Sequence, residues 1–235
     1  MLKAILWDMD GTLVDSEPLW AKATFEMSEE IGRRIPPEVQ ALTVGGTFDN
    51  TLDICINHAG VTLTPAERAK HQHTLYSRVT ELFASELQLI DGIAELLTEL
   101  QHDNIPMMIV TNTPRALADP AMEAIGKQNF NGTICGDEVN RGKPDPEIYA
   151  TAAARLGVAP EDCLVFEDSA AGMTAAAAAG CAVVGLPHDP TMVLPRGVVK
   201  LADLKGDASF LGVTAADVRG WFSEIRARQG EDVEQ

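Results

Sequence analysis

Residues 3–12, KAILWDMDGT, decide the fold, because a short apolar run there ends directly in two carboxylates. Apolar runs of about four to eight residues are typical of buried strands in a parallel sheet. Asp8 and Asp10 follow this strand, and two acids beside a buried strand are costly unless something compensates their charge. A divalent cation such as Mg²⁺, which prefers oxygen ligands, is one compensation. A solvated acidic turn is the other interpretation, and this stretch alone does not choose between them.

Further apolar runs of the same kind occur later in the chain, and helical patterns separate them. The runs are Pro106–Val110, Thr133–Cys135, Cys163–Phe166 and Cys181–Leu186. Helices are predicted over 92–100, 145–156 and 169–179, the second with Asp145 as its N-cap and Pro146 at its first position. Strands that alternate with helices favour an α/β fold with a doubly wound, Rossmann-like parallel sheet.

Residues 16–83 interrupt this alternation and show helical patterns only. One apolar stripe recurs every four residues, at Leu19, Ala23, Met27 and Ile31. Thr64 and Glu67 form a capping box ahead of a second stripe. We therefore predict two domains, a catalytic α/β core of residues 1–15 and 86–235 and an inserted small helical cap of residues 16–85. Ligands of open α/β sheets bind at the carboxyl ends of the strands, so the active site is expected there.

Polar residues follow other predicted strands as well. Thr111 and Asn112 end one strand, Glu167 and Asp168 end another, and Lys143 lies in a glycine- and proline-rich loop. Each group alone has an ordinary interpretation as a turn, a surface loop or a helix-terminal charge pair. Together with the first acidic loop they would place two acid pairs, a hydroxyl and a cation at one edge of one sheet. That combination indicates a catalytic site.

The segments DMDGT, TNT, GKPDP and EDS occur in this order and resemble the four motifs of the haloacid dehalogenase superfamily. With its helical insert, the chain looks closest to the branch that contains β-phosphoglucomutases and sugar-phosphate phosphatases. The resemblance implies a Mg²⁺-dependent phosphatase that hydrolyses a small phosphorylated metabolite, a sugar or polyol monophosphate. The reaction it implies passes through an aspartyl-phosphate on Asp8.

The resemblance also implies a role for each residue. Asp8 is the expected nucleophile, while Asp10 gives a proton to the leaving alcohol and later takes one from water. Thr111 and Lys143, the other expected catalytic residues, bind and neutralise the phosphoryl group. The expected ligands of Mg²⁺ are the Asp8 side chain, the Asp10 carbonyl and Asp168. Glu167 is either a further ligand or a residue that contacts the ligands from outside the coordination shell, and both possibilities stay open. The expected substrate-binding residues are Met9, Asn112, Gly46 and Trp20.

Three alternatives stay open on the same pattern. A β-phosphoglucomutase-type mutase would have a histidine where this chain has Trp20, and an arginine in the cap loop. Residues 45–50 contain no arginine and would present Asp49 to a second phosphate. A phospho-receiver signalling module would lack both the cap and an acid–base partner such as Asp10. A catalytically silent binding protein would lack some of the catalytic positions, all of which are present.

Composition and charge limit the binding partners and the cellular compartment that the sequence predicts. The net charge of −17 predicts neither nucleic acid nor membrane as a partner, since both are anionic. The four cysteines form no C-x-x-C pair and are predicted to be reduced, and the five histidines are predicted to face solvent without metal spacing. The first residues lead straight into a strand, which predicts a cytoplasmic protein. We expect a monomer or weak homodimer.

Overall fold

A computed structural model of the chain describes residues 1–44, 47–189 and 191–231. The strands in this part are β1 Ala4–Trp7, β2 Met107–Val110, β3 Gly132–Ile134, β4 Cys163–Glu167, β5 Ala182–Gly185 and β6 Val198–Lys200. The α-helices are α1 Glu17–Ile31, α2 Pro37–Gln40, α3 Phe48–Ala59, α4 Pro65–Glu86, α5 Ile93–His102, α6 Arg115–Ile125, α7 Glu147–Arg155, α8 Ala170–Ala178, α9 Leu201–Lys205 and α10 Ala215–Glu231.

The strands form one six-stranded parallel sheet in the order β3-β2-β1-β4-β5-β6. The first strand therefore lies in the middle, where Leu6 is paired with Met108 on one side and Val165 on the other. Helices connect the successive strands from β1 to β5, and a loop leads from β5 to β6. The predicted fold class, a doubly wound α/β sheet, is confirmed.

Both faces of the sheet are covered, which explains why its strands read as continuous apolar runs. On one face Leu6 and Val165 belong to a buried cluster with Tyr149 of α7 and Met173 of α8. Successive side chains of a strand point to opposite faces. Trp7 accordingly stacks on the ring of Phe166 at 4.3 Å between centroids, on the other face.

The chain divides into two compact units. The core unit comprises residues 1–15 and the chain from Leu89 onward, and it contains the whole sheet. The helical unit, Ser16–Gln88, contains α1 to α4 and a short 3₁₀ turn in its described part. Its apolar stripe packs inward, and the capping box of Thr64 and Glu67 is formed as predicted.

Each of the five predicted strands is present, with its ends displaced by at most one residue. The sixth, Val198–Lys200, was not predicted, because its three residues, two of them half-buried, give no apolar run. Helix α7 begins at Glu147, one residue later than the predicted first position at Pro146, and Asp145 Oδ1 accepts the Glu147 N–H at 3.0 Å. All four cysteines are buried free thiols, as expected. Within the described ranges, no helix combines the length and apolar character needed to cross a bilayer.

Candidate active site

The strand order brings the polar strand ends together. Asp8 follows the central strand, and its N–H donates to Phe166 O at 3.1 Å. Thr111 follows β2, and its N–H donates to Ile134 O at 3.0 Å. Glu167 is the last residue of β4. Parallel strands that lie side by side end at the same edge, so these side chains share one end of the core unit.

Lys143 joins two of these acids. Its ammonium contacts Asp8 Oδ1 and lies 2.6 Å from Glu167 Oε1, and its side chain is only 4% exposed. Burial destabilises the charged ammonium and by itself would lower the pKa of Lys143. The carboxylates of Asp8 and Glu167 outweigh that effect and raise the pKa of Lys143 above its ordinary value. Lys143 is therefore a fixed positive charge beside the predicted nucleophile. The peptide bond from Lys143 to Pro144 is cis.

Glu167 is completely buried and accepts four hydrogen bonds. Its Oε1 accepts from Lys143 and from the Tyr149 hydroxyl, the latter at 3.0 Å. Its Oε2 accepts from the Ser169 N–H at 2.9 Å and from its hydroxyl at 3.0 Å. An ionised carboxylate offers about four acceptor positions, so this one is saturated by protein donors. Glu167 thus anchors Lys143, and Tyr149 is a member of the site that sequence reasoning missed.

The carboxylates of Asp8, Glu167 and Asp168 form a group that could hold a metal ion, with one oxygen from each lying within 4.8 Å of the others. Burial raises the pKa of Asp8 well above its ordinary value, and the negative charge of Glu167 raises it further. Burial also raises the pKa of Asp168. Lys143 alone does not balance three clustered acids. A divalent cation fits this donor set, because it prefers oxygen ligands and would neutralise the excess charge.

Asp10, the second acid of the first loop, has a hydrogen-bond partner of its own. Its Oδ2 accepts a hydrogen bond from the Thr113 hydroxyl at 2.8 Å. Its main-chain carbonyl as a metal ligand stays a prediction. Thr113 was not singled out in the sequence, although it is the last residue of the TNT segment. The contact fixes the carboxyl group of the predicted acid–base residue.

The remaining polar residues after β2 support the site from one side. Thr111 is 2% exposed, and its hydroxyl oxygen accepts the Thr113 N–H at 3.0 Å, which leaves its hydroxyl hydrogen able to donate. Asn112 bonds the main chain of Lys143 twice, from Nδ2 to the carbonyl at 3.1 Å and from the Lys143 N–H to Oδ1 at 2.9 Å. Asn112 therefore holds the loop that carries Lys143. Its predicted contact with substrate stays a prediction.

Asp168 has a neighbour from the end of another strand. His188 was predicted to face solvent, and its side chain is 65% exposed. Its Nε2 nevertheless lies 3.2 Å from Asp168 Oδ2. The two residues lie 20 positions apart in sequence on different strand ends, and the pairing of β4 with β5 brings them together.

The other three residues that were predicted to bind substrate are Met9, Trp20 and Gly46. Met9 is fully buried, so its predicted contribution is limited to the main chain. Trp20 belongs to the helical unit, where its ring packs edge-on against Phe83 at 6.0 Å. Gly46 lies outside the described residues. The binding roles of Met9, Trp20 and Gly46 stay predictions.

Comparisons with known proteins agree with this geometry. A family model described as haloacid dehalogenase-like hydrolase matches residues 2–180. A probable pseudouridine-5'-phosphatase of Drosophila melanogaster is 34% identical, over 85% of this chain and 90% of its own. The 6-phosphogluconate phosphatase of Escherichia coli is 32% identical, over 83% of this chain and 88% of its own. The crystal structure of a CbbY mutant from Rhodobacter sphaeroides with xylulose-(1,5)bisphosphate has a TM-score of 0.77 and 28% identity, and covers 92% of this chain and 99% of its own.

Proposed function

Because the chain belongs to the haloacid dehalogenase-like hydrolases, we propose that it is a Mg²⁺-dependent phosphatase of a sugar or polyol monophosphate. The family expected from the four motifs is thereby confirmed, while the metal and the covalent route remain part of the proposal. The two curated relatives are named as phosphatases of a pseudouridine 5'-phosphate and of 6-phosphogluconate, which supports a small phosphorylated metabolite as substrate.

One observation carries the proposal: Asp8 is a buried carboxylate at the end of the central strand, in direct contact with the buried ammonium of Lys143. Lys143 favours the ionised form of Asp8, against the opposing effects of burial and Glu167, and an ionised carboxylate can act as a nucleophile. The same ammonium would attract the phosphoryl oxygens of a substrate. Phosphoryl transfer depends mainly on such positioning and charge stabilisation.

The proposed reaction has two steps. In the first, a carboxylate oxygen of Asp8 bonds to phosphorus, the bond from phosphorus to the substrate oxygen breaks, and Asp10 gives its proton to that oxygen. In the second, water attacks phosphorus while Asp10 takes a proton from the water, and the bond to Asp8 breaks to release inorganic phosphate. The hydrogen bond from Thr113 holds Asp10 for both transfers. The hydroxyl of Thr111 would donate to a phosphoryl oxygen.

Asp8 and Asp168 would hold the magnesium ion, together with the carbonyl of Asp10 that the family resemblance implies. When bound, the ion supplies positive charge that balances the clustered carboxylates and the phosphoryl group. Glu167 is assigned to the anchoring of Lys143, because its oxygens already accept four hydrogen bonds from protein donors. The raised pKa of Asp8 describes the protein without the ion, and the ion would favour the ionised nucleophile.

Hydrolysis of a monophosphate is proposed in preference to the mutase reaction. Contacts within the helical unit weaken one of the two sequence arguments for this choice. Asp49 was expected to repel a second phosphate. Arg68 Nη2 lies 3.3 Å from Asp49 Oδ1, and Arg68 Nη1 lies 2.7 Å from Asp53 Oδ1, so the charge of Asp49 is partly paired. The repulsion from Asp49 is therefore weaker than the sequence indicated. The absence of the mutase histidine, whose place Trp20 takes, is unaffected.

Phosphate release from a panel of phosphorylated sugars and polyols, scored by kcat/KM, tests the proposal. We expect turnover with Mg²⁺, loss of turnover with EDTA and recovery when Mg²⁺ is added back. Asp8→Asn should abolish turnover and retain the circular dichroism spectrum, because it removes the nucleophile and keeps the side-chain volume. Substantial residual hydrolysis by Asp8→Asn would contradict the covalent route. Conversion of a sugar phosphate into its positional isomer without phosphate release would favour the mutase.

A further inference from the structure

We propose that His188 is a positioning residue that orients Asp168 for metal binding, by donating a hydrogen bond from its imidazole to Asp168 Oδ2. The inference rests on the proposed function, since it takes Asp168 as a magnesium ligand. It assigns a role to a residue outside the four sequence segments that carry the family resemblance.

The chain that leaves β5 brings His188 to this carboxylate. The Leu186 N–H donates to Glu167 O at 2.7 Å, so the chain remains paired with the end of β4 just after β5 ends. Two residues later, His188 Nε2 lies 3.2 Å from Asp168 Oδ2, within reach of a hydrogen bond. The imidazole thus extends from a hydrogen-bonded segment of main chain, which limits where it can go.

Gly11 leaves the space in which this contact forms. Its φ is +77°, and a Cβ at this position would lie 2.2 Å from Asp168 Oδ2 and 2.9 Å from His188 Nε2. The loop that carries Asp8 and Asp10 therefore packs directly against the paired side chains. Asp168 Oδ2 is confined between the main chain of Gly11 and the imidazole.

A hydrogen bond to one carboxylate oxygen fixes the rotation of the whole carboxyl group, and with it the place of the other oxygen. Ligating carboxylates depend on such partners for their orientation, and loss of a partner typically weakens metal affinity by about 10–100-fold. Asp168 is 15% exposed, whereas His188 is 65% exposed. Removal of the imidazole therefore leaves no buried cavity, and its effect on metal binding is separable from any effect on folding.

Calorimetric titration of metal-free protein with Mg²⁺ tests this role. His188→Ala should weaken Mg²⁺ binding by about tenfold. His188→Gln should bind like wild type, because the glutamine amide nitrogen reaches nearly the same position as Nε2 and still donates. The matched control is His102→Ala, since His102 is 90% exposed and its Nδ1 lies 3.8 Å from Asp103 Oδ1, remote from the candidate metal ligands in sequence and on a different element. The control should bind like wild type.

Two outcomes overturn the inference and leave the proposed function standing. In one, His188→Ala binds Mg²⁺ as tightly as wild type. In the other, His188→Gln is as weak as His188→Ala, which would show that the imidazole acts otherwise than as a hydrogen-bond donor. Failure of the wild-type protein both to bind Mg²⁺ and to release phosphate from p-nitrophenyl phosphate would contradict the proposed function, and this inference with it. The unfolding temperature of each metal-free variant confirms that it is folded.

Discussion

A single methyl group added at Gly172 should disrupt the site, because it would collide with the carboxylate of Glu167. Gly172 lies in the first turn of α8, and its N–H donates to the Ser169 hydroxyl at 3.0 Å. A Cβ at this position would lie 1.5 Å from Glu167 Oε1 and 2.0 Å from its carboxyl carbon. Because Glu167 is held by four hydrogen bonds, it has no free direction in which to move. Gly172→Ala must displace either that carboxylate or the helix.

The size of the effect follows from what is lost. Alanine is favoured over glycine in a helix by about 1 kcal/mol, and less in a first turn. Against this, each buried hydrogen bond to a charged group contributes about 1.5–3 kcal/mol, and displacement of Glu167 breaks more than one. We expect a net loss of about 2–4 kcal/mol in the free energy of unfolding. For a chain of this length that corresponds to a Tm lower by roughly 4–16 °C.

Thermal unfolding of Gly172→Ala and Gly220→Ala measures this directly. Gly220 lies within α10, and among the described residues no heavy atom beyond the neighbouring backbone of its own helix is within 4 Å of a Cβ built there. The same chemical change should therefore raise Tm slightly at Gly220 and lower it at Gly172. Phosphatase activity should fall only in Gly172→Ala, because Lys143 loses one of its two carboxylate partners. Equal Tm values for the two variants would refute the reasoning.

Two other perturbations separate the parts of the site. Thr113→Val removes the hydrogen bond to Asp10 and keeps the side-chain shape, so kcat should fall by about tenfold, as for loss of part of an acid–base contribution, with little change in KM. An unchanged kcat would show that Thr113 does not orient Asp10. The second concerns pH. Burial raises the pKa of Asp8 in the folded protein, so the folded state binds the proton more tightly than the unfolded state and stability falls as pH rises through that raised value. In protein without metal, the unfolding free energy of Asp8→Asn should therefore increase relative to that of wild type as pH rises above about 4. Chemical denaturation in EDTA at several pH values tests this, with Glu167, Asp168 and Lys143 present in both proteins, and a constant difference would contradict it.

The sequence predicted the sheet well, because each buried parallel strand is a short run of consecutive apolar residues. Residues 163–166 are apolar without interruption, and together with the helical patterns on either side this predicts a strand there. The edge strand Val198–Lys200 has no such apolar run, since two of its three residues are half-buried. The predicted start of the helix over 145–156 was wrong by one residue, because Pro146 takes the N-cap position and Asp145 lies one position before it.

The candidate site was predictable where its residues follow strands and unpredictable where they meet through the register of the sheet. Asp8 follows an apolar run directly and Asp168 follows one after Glu167, so the sequence indicates both positions. The contact of His188 with Asp168 depends on the pairing of β4 with β5, which no spacing along the chain encodes. In the sequence, Gly172 is only one small residue among the alanines of α8. The structure shows that what it accommodates is the carboxylate of Glu167.

The central position of β1 has a consequence for the order in which the chain can fold. Leu6 is synthesised early, but its partners Met108 and Val165 appear only much later in the chain. Contacts between residues so far apart in sequence require the intervening loop to close first, and they form slowly. A nascent chain that ends before β4 carries Asp8 without either Glu167 or Asp168. The helical unit, in contrast, is a continuous segment that can become compact while the ribosome is still translating the sheet.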